Sequence, residues 1–341
     1  MIMKNARSES TESEELSNDI VPDILVIGCG GAGCNTVSHM VEEEIEGVDL
    51  AAVNTDAQDL LYTGVDEKII IGKEITGGLG TGSDYSKGEK AALENRESLR
   101  EALSGYELVF VTCGLGGGTG TGAGHVIADL ARGVGALAVG VVTLPFESEG
   151  KRRNENAVEG LFNFKSSADT TIVIPDDRLL DIAPDLSLEE AFRLADSVLV
   201  ETITGVTELL SETGLINLDF GDVRATFKDG GMGVVGFGEA KGDSRANFAV
   251  RDALQNPLLD INIEHAKRAL INITGSSDMT LDEAEEIAGI ISDKLDPDAR
   301  IAWGARVSED LDNTVMATLI VSGAEKLKGR DDMMDLGLDS L

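Results

Sequence analysis

Short apolar runs recur along this chain, separated by polar-faced stretches and glycine-rich turns. Those at 23–27, 50–53, 68–72, 108–112, 136–142 and 171–174 are apolar without alternation, as strands buried on both faces are. Between them the spacing changes to that of helices: one beginning near Thr36, one over 87–103, one carrying Val126, Ile127, Leu130 and Ala131 on a face, and one ending near Ser167. Strands alternating with helices predict an α/β fold with a parallel sheet. Ser187 and Glu190 then form a capping box that opens a long helix to about residue 212. It carries Phe192, Ala195, Leu199, Ile203, Val206 and Leu210 near one face, and Gly214 stops it. Beyond residue 232, strands at 233–237, 269–273, 299–303 and 315–321 with helices at 244–256 and 281–295 read as a smaller α+β part.

The turns carry the chemistry. The 108–112 strand runs into Cys113, then into a loop holding Gly116, Gly117, Gly118, Thr119, Gly120 and Thr121, and then into a helix. Glycines let backbone amides approach an anion closely, the helix start adds partial positive charge, and the two threonines add hydroxyl donors. A di- or triphosphate is the expected ligand. No Lys follows these glycines, so the loop is not a Walker A motif. Gly28, Gly30 and Gly33 satisfy Gly-x-Gly-x-x-Gly after the first strand, which alone would suggest a dinucleotide site and a nicotinamide-dependent oxidoreductase. A further glycine loop spans 76–83. Asp219 and Asp222, after Asn217, are three apart at a helix start; they read either as caps or as a carboxylate pair.

Charge narrows the choice. The 341 residues include 28 basic and 62 acidic ones, a formal net charge of −34. That excludes nucleic acid or an anionic membrane as a direct partner, since both need a positive surface. The acidity is either a plain solvated surface or an adaptation to a salt-rich cytoplasm. No apolar run is long enough to span a membrane, and residues 1–19 have no signal-peptide core, so a cytoplasmic protein without membrane insertion is expected. Cys29, Cys34 and Cys113 form no metal or disulfide pattern and read as small packing residues, with a redox role the alternative.

Taken in order, these motifs resemble the tubulin/FtsZ superfamily of cell-division GTPases, in its archaeal type. The resemblance covers residues 22–325. It implies a doubly wound GTPase domain at 21–196 behind an acidic tail at 1–20, a connecting helix at 197–214, an α+β domain at 215–325 with the catalytic loop at its start, and an acidic tail at 326–341. In its terms Gly30, Gly31, Ala32, Gly33 and Cys34 approach phosphate together with residues 116–121, and Asn35 lies near the sugar or base. Glu149 and Arg153 hold ribose and base, Phe192 stacks on the base, and Asp196 accepts the N1 and N2 protons of guanine. Asp56 either faces the Mg²⁺-phosphate region or caps the next helix. Asn217, Asp219 and Asp222 enter the neighbouring subunit's site and position the attacking water. GTP and GDP are the implied ligands, with Mg²⁺ held through phosphate and water. A head-to-tail homopolymer at the division site, with a membrane adaptor and other division proteins, is the implied assembly; a GTP-binding scaffold that hydrolyses little is the alternative. The chain departs from the family pattern at Thr81, Asp84 and Tyr85 of the third loop, at Gly221, and at Asp176, where both acidic positions after the 171–174 strand are Asp.

The charge yields the first prediction. If the acidic surface is a salt adaptation, the urea midpoint of unfolding rises as KCl increases from about 0.1 M to about 2 M. Full stability at the low end leaves a simply solvated surface.

Overall fold

The apolar runs become the strands of one sheet. The structure, a computed structural model, describes residues 21–211, 214–259 and 263–323. In chain order its elements are β1 (Ile24–Cys29), α1 (Gly30–Glu42), β2 (Asp49–Asn54), α2 (Ala57–Tyr62), β3 (Glu67–Ile70), α3 (Lys73–Thr76), α4 (Tyr85–Glu94), α5 (Arg96–Ala102), β4 (Leu108–Gly114), α6 (Thr119–Val134), β5 (Leu137–Leu144), α7 (Lys151–Ser167), β6 (Thr170–Pro175), α8 (Asp176–Ile182) and α9 (Leu188–Ser211). There follow α10 (Phe220–Phe227), β7 (Gly231–Lys241), α11 (Arg245–Gln255), β8 (Arg268–Gly275), α12 (Leu281–Ser292), β9 (Arg300–Val307) and β10 (Thr314–Ser322). The first six strands are parallel in the order β3-β2-β1-β4-β5-β6, the doubly wound arrangement.

Both faces of this sheet are covered, which is why its strands lack alternation. On one face Val37 and Met40 of α1 and Leu199, Ile203 and Val206 of α9 pack on Val26, Phe110 and Val139. On the other, Leu99 of α5, Ile127 of α6 and Leu161 and Phe164 of α7 pack on Ile27, Val109 and Val111. A third cluster joins α11 and α12 to β8 and β10.

The two parts expected from the sequence share one ten-stranded sheet. A short parallel ladder pairs Thr170, Thr171 and Ile172 of β6 with Gly231, Met232 and Gly233 of β7. Asp169 pins this joint. Its buried Oδ2 accepts from the Ala138 amide at 3.0 Å, its carbonyl accepts from the Gly231 amide at 3.0 Å, and Arg132 and Lys228 lie 3.6 and 3.5 Å from Oδ1. The long helix expected after the Ser187–Glu190 capping box is α9, 24 residues from Leu188, and it packs into a cluster that also holds Leu270 and Ile320.

Helix starts are where the pattern misleads. The helix expected near Thr36 begins at Gly30, and the one expected from residue 125 begins at Thr119. Glycine has poor helix propensity, yet the adjoining helices and strands approach so closely that no larger residue fits. A Cβ at Gly122 would sit 2.0 Å from the Tyr85 carbonyl oxygen, and one at Gly33 would sit 2.4 Å from that of Thr112. The single helix expected over 87–103 is two, broken at Asn95, whose Oδ1 accepts from the Gly72 amide at 2.8 Å. The capping box at Ser187 is present, with Glu190 accepting from the Ser187 amide at 2.8 Å. The terminal tails lie outside the described residues.

Asp169→Ala should lower the unfolding free energy by about 2–4 kcal/mol, because it strands a buried amide and removes the partner of two cations. Arg132→Ala, at a half-exposed position, should cost under about 1 kcal/mol. Urea titration of both variants checks the contrast.

Candidate nucleotide-binding site

The three glycine loops meet at the carboxyl ends of β1, β2 and β4. The cleft there is lined by Gly30, Gly31, Ala32 and Asn35 of α1 and by Gly117, Gly118, Thr119 and Gly120 at the start of α6. A helix leaves its first amides without partners in its own backbone, so two helix starts converge on one space. Gly30 opens α1 at φ 73°, a conformation available to glycine at little cost.

Hydroxyls and amides fix the loops. Thr121 accepts from the Gly116 amide at 2.9 Å, and the Thr55 and Thr119 hydroxyls lie 2.6 Å apart, joining the end of β2 to α6. Asn156 donates to the carbonyls of Ser83 at 3.1 Å and Gly116 at 3.2 Å, tying the 76–83 loop to the 116–121 loop. Thr81 reaches the cleft wall, where a Cβ at Gly118 would sit 1.9 Å from its hydroxyl oxygen. Asp84 caps α4 by accepting from the Lys87 amide at 3.4 Å.

Glu149, Arg153, Phe192, Asp196 and Asp176 close the other side. Arg153 is paired with Glu149, and Glu149 also accepts from the Phe146 amide at 3.1 Å. Phe192 is 41% exposed and stands edge-on to Phe146, with ring centroids 5.5 Å apart. Asp196 lies 3.5 Å from the Thr36 hydroxyl, which donates to it. Burial pushes its carboxyl up to about 6, against the opposing pull of His39 and of the Thr36 bond.

Some expected residues do not line the cleft. Cys34 turns inward toward the Val53 carbonyl at 4.0 Å, and burial pushes its thiol up to about 11. Burial likewise raises Cys29 and Cys113, so all three thiols are buried and poorly reactive. Gly33, Gly116 and Thr121 stand behind the wall rather than in it. Asp56 takes the capping geometry, accepting from the amides of Gln58 at 3.0 Å and Asp59 at 3.1 Å. Sequence reading missed Thr143 and Pro145 in the wall. Both lie at the end of β5, beside the ends of β4 and β6, where the parallel order brings them to the cleft.

The acidic loop is elsewhere. Asp219 caps α10, accepting from the Asp222 amide at 2.8 Å, and Asn217 accepts from the Gly214 amide at 2.6 Å. None of the three lines the cleft. From Asp196 at the cleft, α9 runs roughly 22 Å further at 1.5 Å per residue. It ends where Ser211 packs on Gly47, just before β2 and so at the opposite end of the sheet.

A family model described as "Tubulin/FtsZ family, GTPase domain" matches residues 23–184, and one described as "FtsZ family, C-terminal domain" matches residues 231–325. The chain belongs to the Tubulin/FtsZ family. It is a GTPase of the FtsZ type, and guanine nucleotide is its ligand. It is 49% identical over 320 residues to "Cell division protein FtsZ 1" of Thermococcus kodakarensis, covering 93% of this chain and 86% of that one. It is 44% identical over 351 residues to the protein of that name from Methanocaldococcus jannaschii, covering 98% and 96%. The solved structure "FtsZ dimer, empty (M. jannaschii)" superposes with a TM-score of 0.91 at 46% identity, covering 95% of each chain.

Asp196 gives a prediction with a definite sign. Its ionised form is disfavoured in the fold, so the cost is present above about pH 6 and absent below about pH 4. Asp196→Asn should therefore stabilise the nucleotide-free protein by about 1–3 kcal/mol at pH 8, with the gain fading between those values. Denaturant titration across pH checks it.

Proposed function

We propose that this FtsZ-type GTPase hydrolyses GTP between stacked copies of itself, building head-to-tail filaments for cell division. One observation carries the reading: the nucleotide cleft and the Asn217–Asp219–Asp222 loop lie at opposite ends of the sheet of a single chain. A second copy stacked on the cleft brings its own loop to the terminal phosphate. Such a heterologous contact repeats without closing, which makes a filament.

In this reading the amides of Gly30–Ala32 and Gly117–Gly120 hold the phosphates. Phe192 stacks on the base. Asp196, ionised at neutral pH, accepts the N1 and N2 protons of guanine, which adenine lacks. Glu149 and Arg153 face the ribose. The neighbour's Asp219 and Asp222 orient and polarise the attacking water. Arg153 is the single cation in the cleft wall among the described residues, so a Mg²⁺ bound to the phosphates would supply charge neutralisation that the side chains do not. Loss of the terminal phosphate loosens the contact. The expected location is the cytoplasm at the division site, with an adaptor protein providing the membrane link. Among the described residues no helix is long and apolar enough to cross a membrane.

Asp222→Ala should bind GTP within about 2-fold of wild type, because it touches only the neighbour's nucleotide, and lose at least about 100-fold in turnover. Specific activity of wild type should rise above a threshold protein concentration. Activity flat with concentration contradicts the shared site. Asp196→Ala should lose about 2–3 kcal/mol of guanine affinity and most of the preference over ATP, measured by competition binding.

A further inference from the structure

We propose that Asp176 serves the nucleotide site as a neutral carboxylic acid, donating its proton in a hydrogen bond to an acceptor on the nucleoside half of the ligand. This rests on the reading of the cleft as a guanine-nucleotide site. Asp176 is the first residue of α8, directly after the carboxyl end of β6. It lines the cleft beside Pro145, Glu149, Arg153, Phe192 and Asp196, yet it is only 4% exposed. Its Oδ1 is shielded from solvent and has no hydrogen-bond partner among the described residues.

The charges around it are mostly of its own sign. Glu149 faces it from the turn before α7, Asp196 from α9 and Asp177 from its own helix. The opposing cation is Arg153 of α7, which is already paired with Glu149. A carboxylate that is buried, unbonded and beside three others is costly, and the group escapes the cost by keeping its proton. Burial first, and then Glu149, Asp177 and Asp196, push its carboxyl well above the usual range, with Arg153 opposing. The first turn of α8 favours the anion slightly. That helix has seven residues, and its dipole does not outweigh burial.

Protonated, Asp176 offers a donor that no described residue receives. The position of β6 says where the receiver lies. The amides for phosphate stand at the ends of β1 and β4, whereas β6 is two strands from β4, on the side where Phe192 and Asp196 descend from α9. The nucleoside is therefore the nearer half. Asp196 and Asp176 then form a complementary pair: one carboxylate that accepts from ring N–H groups, and one acid that donates to a ring nitrogen or a ribose oxygen. An Asn side chain would do the same work at any pH, since its amide also donates.

The test is GDP affinity by calorimetry from about pH 6 to about pH 9 for wild type, Asp176→Asn and Asp176→Ala. The Asn variant should bind within about 2-fold of wild type at the acid end, and the Ala variant about 10-fold more weakly. With rising pH, wild type should weaken relative to Asn as its proton leaves; wild type tracking Asn up to about pH 9 would overturn the proposal, because the Asn oxygen can also stand in for an accepting carboxylate. Deprotonation of guanine itself is common to all three and cancels in their ratios. Asn weaker than wild type by about 10-fold at every pH would show that the carboxylate is required and overturn the proposal, as would Ala binding as tightly as wild type. Unfolding midpoints without nucleotide separate lost contacts from lost folding, and the Asn variant should be at least as stable as wild type. The analogue that erases the Asn–Ala difference, 2′-deoxy-GDP or 7-deaza-GDP, identifies the acceptor. No GDP binding by folded wild type at any pH would instead refute the nucleotide-site reading itself.

Discussion

The structure depends on two helix starts converging on one point. α1 and α6 leave the ends of β1 and β4, adjacent strands of a parallel sheet, and each opens with amides that its own backbone cannot satisfy. An anion placed between them meets both sets at once. Glycines make the convergence possible. At Gly33 and Gly122 a side chain would collide with the carbonyl of Thr112 or Tyr85, so the helices and strands can approach only because these positions are bare. The threonine hydroxyls at 55, 119 and 121 and the amide of Asn156 then hold the loops in place.

An anion site in a chain of net charge −34 needs an electrostatic account. Arg153 is the one cation of the cleft wall among the described residues, and it faces Glu149. Phosphate affinity must then come from fixed backbone dipoles, which act at short range and are little affected by a distant acidic surface. The carboxyl groups on the nucleoside side carry the opposite burden. Asp196 and Asp176 are both disfavoured as anions by burial in the empty protein. Burial also raises Glu201 of α9, outside the cleft, so what marks Asp196 and Asp176 is the same strain in side chains that line the nucleotide site.

The first six strands were legible from the sequence because their sheet is buried on both faces, so each reads as an unbroken apolar run. The starts of α1 and α6 were not. The first turns of α1 and α6 are rich in glycines that allow close approach, and local propensity points the other way. The cleft wall was legible where a residue sits in a motif, as at Gly117, Phe192 and Asp196. It was not where topology alone brings a residue in, as at Thr143 and Pro145. Asp56 and Asp219 show the limit of reading carboxylates: both take capping geometry, and a cap and a reactive group look alike until position is known. Position separates them here, since Asp219 lies beyond the far end of a 24-residue helix and Asp56 packs beside the 76–83 glycine loop.

The central claim is that a complete site is built from two chains, and mixing tests it most directly. One variant, Asp219→Ala with Asp222→Ala, keeps its cleft and loses its loop; another, Asp196→Ala with Arg153→Ala, keeps its loop and loses its cleft. Each alone should hydrolyse GTP negligibly. Mixed in equal amounts, they should recover up to about a quarter of wild-type activity, because one contact in four pairs an intact cleft with an intact loop. A mixture no more active than the sum of its parts would place the whole reaction within one chain and contradict the account.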